Sequence, residues 1–492
     1  MMIKRMFSLF CVLALCLTLL PGMTLVAAVD IIPSAPTNGN GTEAAPYQIS
    51  TVEKLYWFAE QVNSGRISIC AVLMNDITVN TGVLDEEGKL NSSTFEDWTP
   101  IGNSSTAYTG SFDGQGYTIS GLYVNSTSNS DIYVGLFGSV GGDGTVRNVG
   151  VADSYLSACA TGMTKSACAG GVCGTNHGTI EGCWNSGTVT ATATNNMLGG
   201  YAYAGGVCGA NFSAAIITNC WNSGSVDATS RKKDAESGGV CGLSFSNIEN
   251  CWNSGTVTAT ANSGSAYIGG VCGFINFTTN GTITNCYWLE TAASSGIGTS
   301  FGTGTGDVTK KTEDNFASGE VTRLLNGQST NGPWRQTLGV DDYPVLDYTH
   351  GAVYQVTVTD EDARSTDYYC YESFTLPDAP EETKIGYSFS WSDGKGNNYA
   401  ASKTVTIIAD TTFTVQWTAN TYTVKFDGNG SDGGTMSSQA FTYDTAQTLM
   451  ANTFTRTGYT FAGWNTKADG SGISYEDREE LTLTDNLTLY AQ

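Results

Sequence analysis

Residues 171–189 read GVCGTNHGTIEGCWNSGTV, and this text returns along the chain with small edits. Its first half recurs as Gly206-Val207-Cys208-Gly209, Gly239-Val240-Cys241-Gly242 and Gly270-Val271-Cys272-Gly273, and diverges upstream to Gly135-Leu136-Phe137-Gly138. Its second half recurs at 217–226 (ITNCWNSGSV) and 248–257 (IENCWNSGTV), ends as ITNCYW at 283–288, and survives at Val146-Arg147-Asn148-Val149. Successive anchors start 36, 35, 33 and 31 residues apart. Units of this length, made of short β-runs with glycine corners, cannot each enclose a core. Stacking them buries one continuous interior and pairs each strand with its equivalent about 4.8 Å away in the next coil. The pattern predicts a right-handed parallel β-helix in an all-β chain. A propeller blade needs four strands in roughly 40–45 residues, more than these units hold.

Working outward, residues 46–134 read as an N-terminal cap and first coils, 135–290 as the repeat solenoid, and 291–350 as a C-terminal cap with a short helix at Glu320 to Asn326. Ser50-Thr51-Val52-Glu53 predicts a capping box opening an amphipathic helix. Val52, Leu55, Phe58, Ala59 and Val62 form its apolar stripe and Gly65 its end. Its expected role is to cover an open end of the coils. Residues 29–45 read as a Pro/Gly/Asn-rich linker. Residues 1–28 read as a signal peptide, with Lys4 and Arg5 ahead of the apolar run Phe7 to Leu20 and Val26-Ala27-Ala28 as the cleavage site.

The 492 residues carry 22 Lys+Arg against 46 Asp+Glu, a net charge of -24, which leaves phosphate backbones a poor partner. No second apolar run of bilayer length follows the signal, so the expectation is an exported, acidic protein without membrane insertion.

The repeated blocks resemble the GLUG motif of bacterial surface proteins. The leader Pro46-Tyr47-Gln48-Ile49, Trp57-Phe58-Ala59, Trp98 to Gly102 and Phe112 to Ile119 is similar to the stretch that accompanies that motif. Residues 420–492, with Tyr422 to Gly430, Gly458 to Trp464 and Leu481 to Thr484, are similar to the Listeria–Bacteroides (internalin-type B) repeat. Residues 351–419 look like a diverged copy, with Gly386 to Trp391 opposite the aromatic block and Gln416-Trp417 at its end. These resemblances imply two small β-grasp-like modules after the solenoid and a role in adhesion at the cell envelope. The last module stops at Gln492, one residue short of its sister's tryptophan, so the chain reads as a fragment. No motif names a mode of wall attachment.

Eight of the 14 cysteines fall in two columns, Cys173, Cys208, Cys241, Cys272 and Cys183, Cys220, Cys251, Cys286. Zinc prefers ligands two to four residues apart, and parallel in-register side chains point the same way, which suits neither metal nor bridge. Phe137 and Val149 occupy the same slots in the first unit, so the columns read as small apolar core residues, with some disulfide as the alternative. Trp184, Trp221, Trp252 and Tyr287 follow the second column directly and should turn outward by strand alternation. They form the candidate ligand-binding ladder, either a platform for sugar rings or rings packed on one another. Asn219, Asn250 and Asn285, with Gly182 in line, read as a structural corner ladder.

Catalytic patterns are sparse. His177 and His350 stand apart, no H-E-x-x-H, G-x-S-x-G or phosphate-loop text occurs, and no paired carboxylates recur in the coils. Asp113 reads as a turn residue, and Asp341, Asp342, Asp427 and Asp432 match no calcium-loop spacing. The expectation is a non-catalytic protein without cofactor or metal that binds host or matrix glycans or proteins. A β-helix polysaccharide lyase or hydrolase and a purely structural spacer are the alternatives.

Overall fold

The computed structural model describes residues 31–212, 214–276, 281–302, 306–380 and 384–492; the stretch 1–28, read above as a signal peptide, lies outside them. The chain divides into two compact units, one ending at Val353 and the other spanning Tyr354–Gln492.

The first unit is a parallel β-solenoid. Its coils pair in register through two five-stranded sheets, a six-stranded sheet and a fifteen-stranded sheet that turns back through the long strand Ile283–Leu289. Ile180 pairs with Ile217, Ile217 with Ile248 and Ile248 with Ile283, and the line runs on upstream to Val146 and Phe112. These residues are all fully buried, as the repeat text required. Phe137, Cys173, Cys208, Cys241 and Cys272 form a second in-register column, also buried. All eight repeat cysteines are free thiols. Burial in an apolar interior disfavours the thiolate and pushes Cys173, Cys208 and Cys241 well up from the ordinary thiol value, so they behave as small hydrophobes.

The corners have separate causes. Asn148, Asn219, Asn250 and Asn285 all sit at φ of 52–54°, with Gly182 at 63° in the same line. Asparagine and glycine are the residues that enter the left-handed region at least cost. Inside the coils runs a polar feature that the hydrophobic pattern does not announce. Asn185 donates to Asn222 and Asn222 to Asn253, each at 2.8 Å, and all three are fully buried. Each side chain also bridges its own turn, as Asn185 does by accepting from Gly187 N at 3.1 Å and donating to Gly187 O at 3.0 Å. A Cβ on Gly206 would come within 2.2 Å of the Asn222 amide carbon, which explains why the anchor opens with glycine. A second internal ladder runs from Asn176 to Asn211 to Ser244.

The helix α1 (Val52–Asn63) buries Leu55, Phe58, Ala59 and Val62 in the solenoid core, and Phe58 meets Tyr108 and Phe112 edge-on or tilted. The expected capping box is absent. The N-cap is Thr51, without a side-chain cap bond, while Ser50 accepts from Lys54 instead. The Pro/Gly/Asn-rich segment is more than a linker, since Ser34 N donates to Glu53 O and Cys70 N to Gly41 O. At the other end, helices α2 (Glu313–Ala317) and α3 (Glu320–Leu325) build a cap whose core holds Phe316, Val321, Leu325 and Trp334.

The second unit holds two small mixed sheets with one strand order. In the first, Tyr354–Thr359 pairs antiparallel with Ser365–Cys370 and parallel with Thr411–Ala419, which continues antiparallel to Tyr387–Ser392 and Asn398–Tyr399. In the second, Thr421–Asp427 pairs likewise with Gln439–Thr442 and Leu487–Ala491, followed by Trp464–Asn465 and Ser474–Tyr475. Trp391 and Trp464 hold corresponding strands and are both buried.

Candidate functional site

The aromatic column begins over a glycine. Gly150 pairs with Trp184, whose ring covers it so closely that an added Cβ would lie 2.1 Å away. Trp184, Trp221, Trp252 and Tyr287 then follow in register. The indoles of Trp184 and Trp221 lie 4.8 Å apart and 5° from parallel, those of Trp221 and Trp252 5.0 Å and 2°. Register alone produces this spacing, since one ring is carried by each strand.

The four rings do not share one environment. Tyr343 from the cap stacks on Trp252 at 5.3 Å, Phe316 tilts against it at 5.6 Å, and Trp252 is left 1% exposed. Tyr287 is 6% exposed, and its hydroxyl donates to Asn285. Two of the four candidate ligand residues are therefore placed in the cap core, because the two strands that present them, Trp252–Asn253 and Ile283–Leu289, lie at the end of the column that the cap covers. Trp184 and Trp221 remain part-exposed.

Those two rings face a cavity of about 840 Å³ whose opposite wall is the cap segment Val345–His350. Its floor near Trp184 is the turn Asp113–Tyr117 with Asn148 and Gly182. Asp113 accepts from Arg147 Nε at 3.0 Å, from Asn148 at 3.2 Å and from Gln115 N at 2.9 Å, a turn residue that also fixes a charge at the rim. Across the cavity, His350 Nδ1 lies 2.6 Å from Asp341 Oδ2, which also accepts from Thr337 N. Asp347 accepts from Thr349 N at 2.8 Å, and this bond, with His350 nearby, holds its carboxyl below the usual range. Tyr348 lies under the Arg335 guanidinium, 4.7 Å from its ring centre, and is 70% exposed.

The residue text placed Asp113, Trp184, Trp221 and His350 far apart, and the tertiary structure brings them to one groove. His177 does not join it; its ring stacks on Phe212 at 4.7 Å elsewhere on the solenoid. Asp341 serves His350. Asp427 and Asp432 belong to the second unit, where they accept from Asn429 N and Thr457 N. Among the described residues no cluster of three His, Cys, Asp or Glu side chains has metal-binding geometry, and no helix is long and apolar enough to cross a membrane.

Residues 422–492 match the family model of the Listeria-Bacteroides repeat domain. The chain is similar to a "Putative Gly-rich membrane protein" of Evansella cellulosilytica, 29% identical across 92% of this chain and 64% of that protein. It is also similar to Internalin H of Listeria monocytogenes, 31% identical over 27% of this chain and 24% of the relative. Among solved structures it resembles a "putative immunoglobulin A1 protease" from Bacteroides ovatus, with a TM-score of 0.42 and 20% identity over 63% of this chain and 95% of the other. The chain thus spans 64% of the length of the first relative and about a quarter of the second.

Proposed function

We propose that this chain is an exported surface protein that binds glycans without turning them over, and that the groove between Trp184, Trp221 and the segment Val345–His350 is the binding site. One observation carries the reading: two parallel, part-exposed indoles stacked 4.8 Å apart on a rigid sheet, bordering an 840 Å³ groove rimmed by carboxylate and imidazole groups. The exposed apolar edges of the stacked indoles pack against the C–H groups of a sugar ring, and fixed polar groups at the rim take its hydroxyls. The membrane and internalin relatives and the Listeria-Bacteroides repeat support a place at the cell surface. The motif resemblance of the coils supports adhesion.

The glycan-enzyme alternative draws on the same rim, which carries Asp113 and Asp347. Glycoside cleavage needs one carboxyl held protonated as general acid. Asp347 is pushed the other way, and Asp113 is committed to Arg147 and Asn148, which favours binding over cleavage. A glycan array probed with the parent and with the double variant W184A/W221A tests the reading. Saturable binding lost in the double variant supports it. Equal binding by both, or release of reducing ends from an acidic polysaccharide, overturns it.

A further inference from the structure

The tryptophan groove is charged, and its charge narrows what it can hold. Its lining carries two carboxylates, Asp113 in the turn near Trp184 and Asp347 on the cap segment, with His350 beside the second. Among the described residues no lysine or arginine lines it. Two arginines that touch lining residues are already engaged. Arg147 is spent on Asp113 at 3.0 Å. Arg335 donates to the Gly332 and Trp334 carbonyls while it lies over Tyr348.

The two carboxylates are not equivalent. Asp113 spends Oδ2 on Arg147 Nε and Oδ1 on Gln115 N and the Asn148 amide, so its charge is matched. Asp347 uses Oδ1 alone, accepting from Thr349 N at 2.8 Å. Its Oδ2 lies 3.8 Å from His350 Nε2, beyond hydrogen-bond reach, and its side chain is 55% exposed. His350 meanwhile gives its other nitrogen, Nδ1, to Asp341 at 2.6 Å. The bond from Thr349, before any other cause, holds the Asp347 carboxyl below the usual range, so it is ionised at pH 6. One oxygen of an ionised carboxylate is thus left at the groove for a donor from outside.

We propose that the glycan this groove takes carries free amino groups, one protonated sugar amine donating to Asp347 Oδ2 while its ring lies along the edges of Trp184 and Trp221. The proposal rests on the groove being a glycan site. Charge acts in one direction at both scales. A protonated amine is drawn by the unmatched carboxylate and by a chain of net charge -24, while a uronic acid or sulfated sugar is repelled by both. An N-acetyl group removes the charge, and a hydroxyl is a weaker donor to a carboxylate than an ammonium. Because Asp347 is exposed, one such pair changes affinity only a few-fold, and salt screens it.

Calorimetric titration of the full chain at pH 6 with chitosan hexaose, chitin hexaose and cellohexaose tests this, since these share one backbone and differ in amine, N-acetyl or hydroxyl at C2. In low salt the chitosan hexaose should bind about three- to fivefold tighter than the other two. That preference should fade in concentrated sodium chloride and fall below about twofold in D347N, which keeps the acceptor for Thr349. A preference that is absent, or unchanged in D347N, overturns the proposal. Should D347N fold poorly, the salt series on the parent decides, and a preference that salt leaves unchanged overturns it. Hexalysine binding as tightly as chitosan hexaose would reduce the effect to bare charge and also overturns it. The double variant W184A/W221A separates this proposal from the one beneath it. Equal affinity for all three sugars, lost in the double variant, overturns the amine assignment and leaves the glycan site standing. Failure of every sugar to bind, or binding untouched by the double variant, overturns both.

Discussion

Trp184 and Trp252 come from the same text, a buried cysteine, then tryptophan, then a buried asparagine, and they belong to one in-register column two coils apart. One is part-exposed at a groove; the other is 1% exposed beneath Tyr343 and Phe316. Strand geometry sets the direction and spacing of both rings equally. The difference comes from the cap, which returns over the end of the column and stops short of Trp184. A repeated surface residue therefore has no single role in a solenoid: its role depends on what the non-repeated ends lay across it.

Substitutions can break this comparison, and the largest effect belongs at the covered end. W252A should cost about 3–5 kcal/mol of stability, because it empties a packed site between solenoid and cap. Chemical denaturation of the first unit measures it; a loss below about 1 kcal/mol would mean that the cap does not use the ring. Next comes the internal ladder that both tryptophans flank. N222A removes the rung that Asn185 donates to and Asn253 accepts from, leaving each buried amide only the bonds of its own turn, and should cost about 2–3 kcal/mol. By contrast, C208V should cost under about 1.5 kcal/mol, since the column already accepts Phe137.

A pH response is expected from a second outward column, Tyr133, Cys168, Tyr203, Glu236 and Tyr267. Burial, and then Asp234, raise the carboxyl of Glu236 in the fold from 4.5 to about 8, so folding favours its protonated form. The stability it contributes is full below its ordinary value, falls as pH rises from there, and is gone once pH passes about 8. Melting temperature recorded across that window should fall less in E236Q than in the parent. The smallest stability effect is expected at the open end. W184A should shift the denaturation midpoint by no more than about 1 kcal/mol equivalent, because a part-exposed ring that lies over Gly150 and Trp221 without a covering cap forfeits less burial, yet it should weaken glycan binding. A large stability loss with unchanged binding would make the open end another piece of packing.

Much of this was legible in the residues. Spacing of the glycine anchors gave the coil, and the identical offset of isoleucine and cysteine gave the interior lines. The substitution of Phe137 for cysteine gave the reduced, apolar role of the thiols. Outward alternation after Cys183 and Cys220 gave the tryptophan ladder at its observed spacing. These succeed because register in a stacked sheet is a local property, enforced at every coil by the same hydrogen bonds. The polar interior was less legible. Asn219, Asn250 and Asn285 are the asparagines that read as a ladder, whereas Asn185, Asn222 and Asn253 carry no apolar signal, although alternation beyond the tryptophan points them inward, where each bonds the next. The Ser50 capping box also failed, because its signature names candidate partners without fixing which residue leads the helix.

By itself, then, the sequence determined the period, the strands and the side to which each repeated residue turns, since these follow from backbone pleat and coil stacking alone. Only the tertiary structure decided which tryptophans stay open, that Asp113 and His350 border the same groove, and that Glu236 is buried between the rungs of two tyrosines. These depend on where a non-repeated cap, a turn more than 200 residues away and a neighbouring sheet come to rest, and no local pattern encodes such meetings.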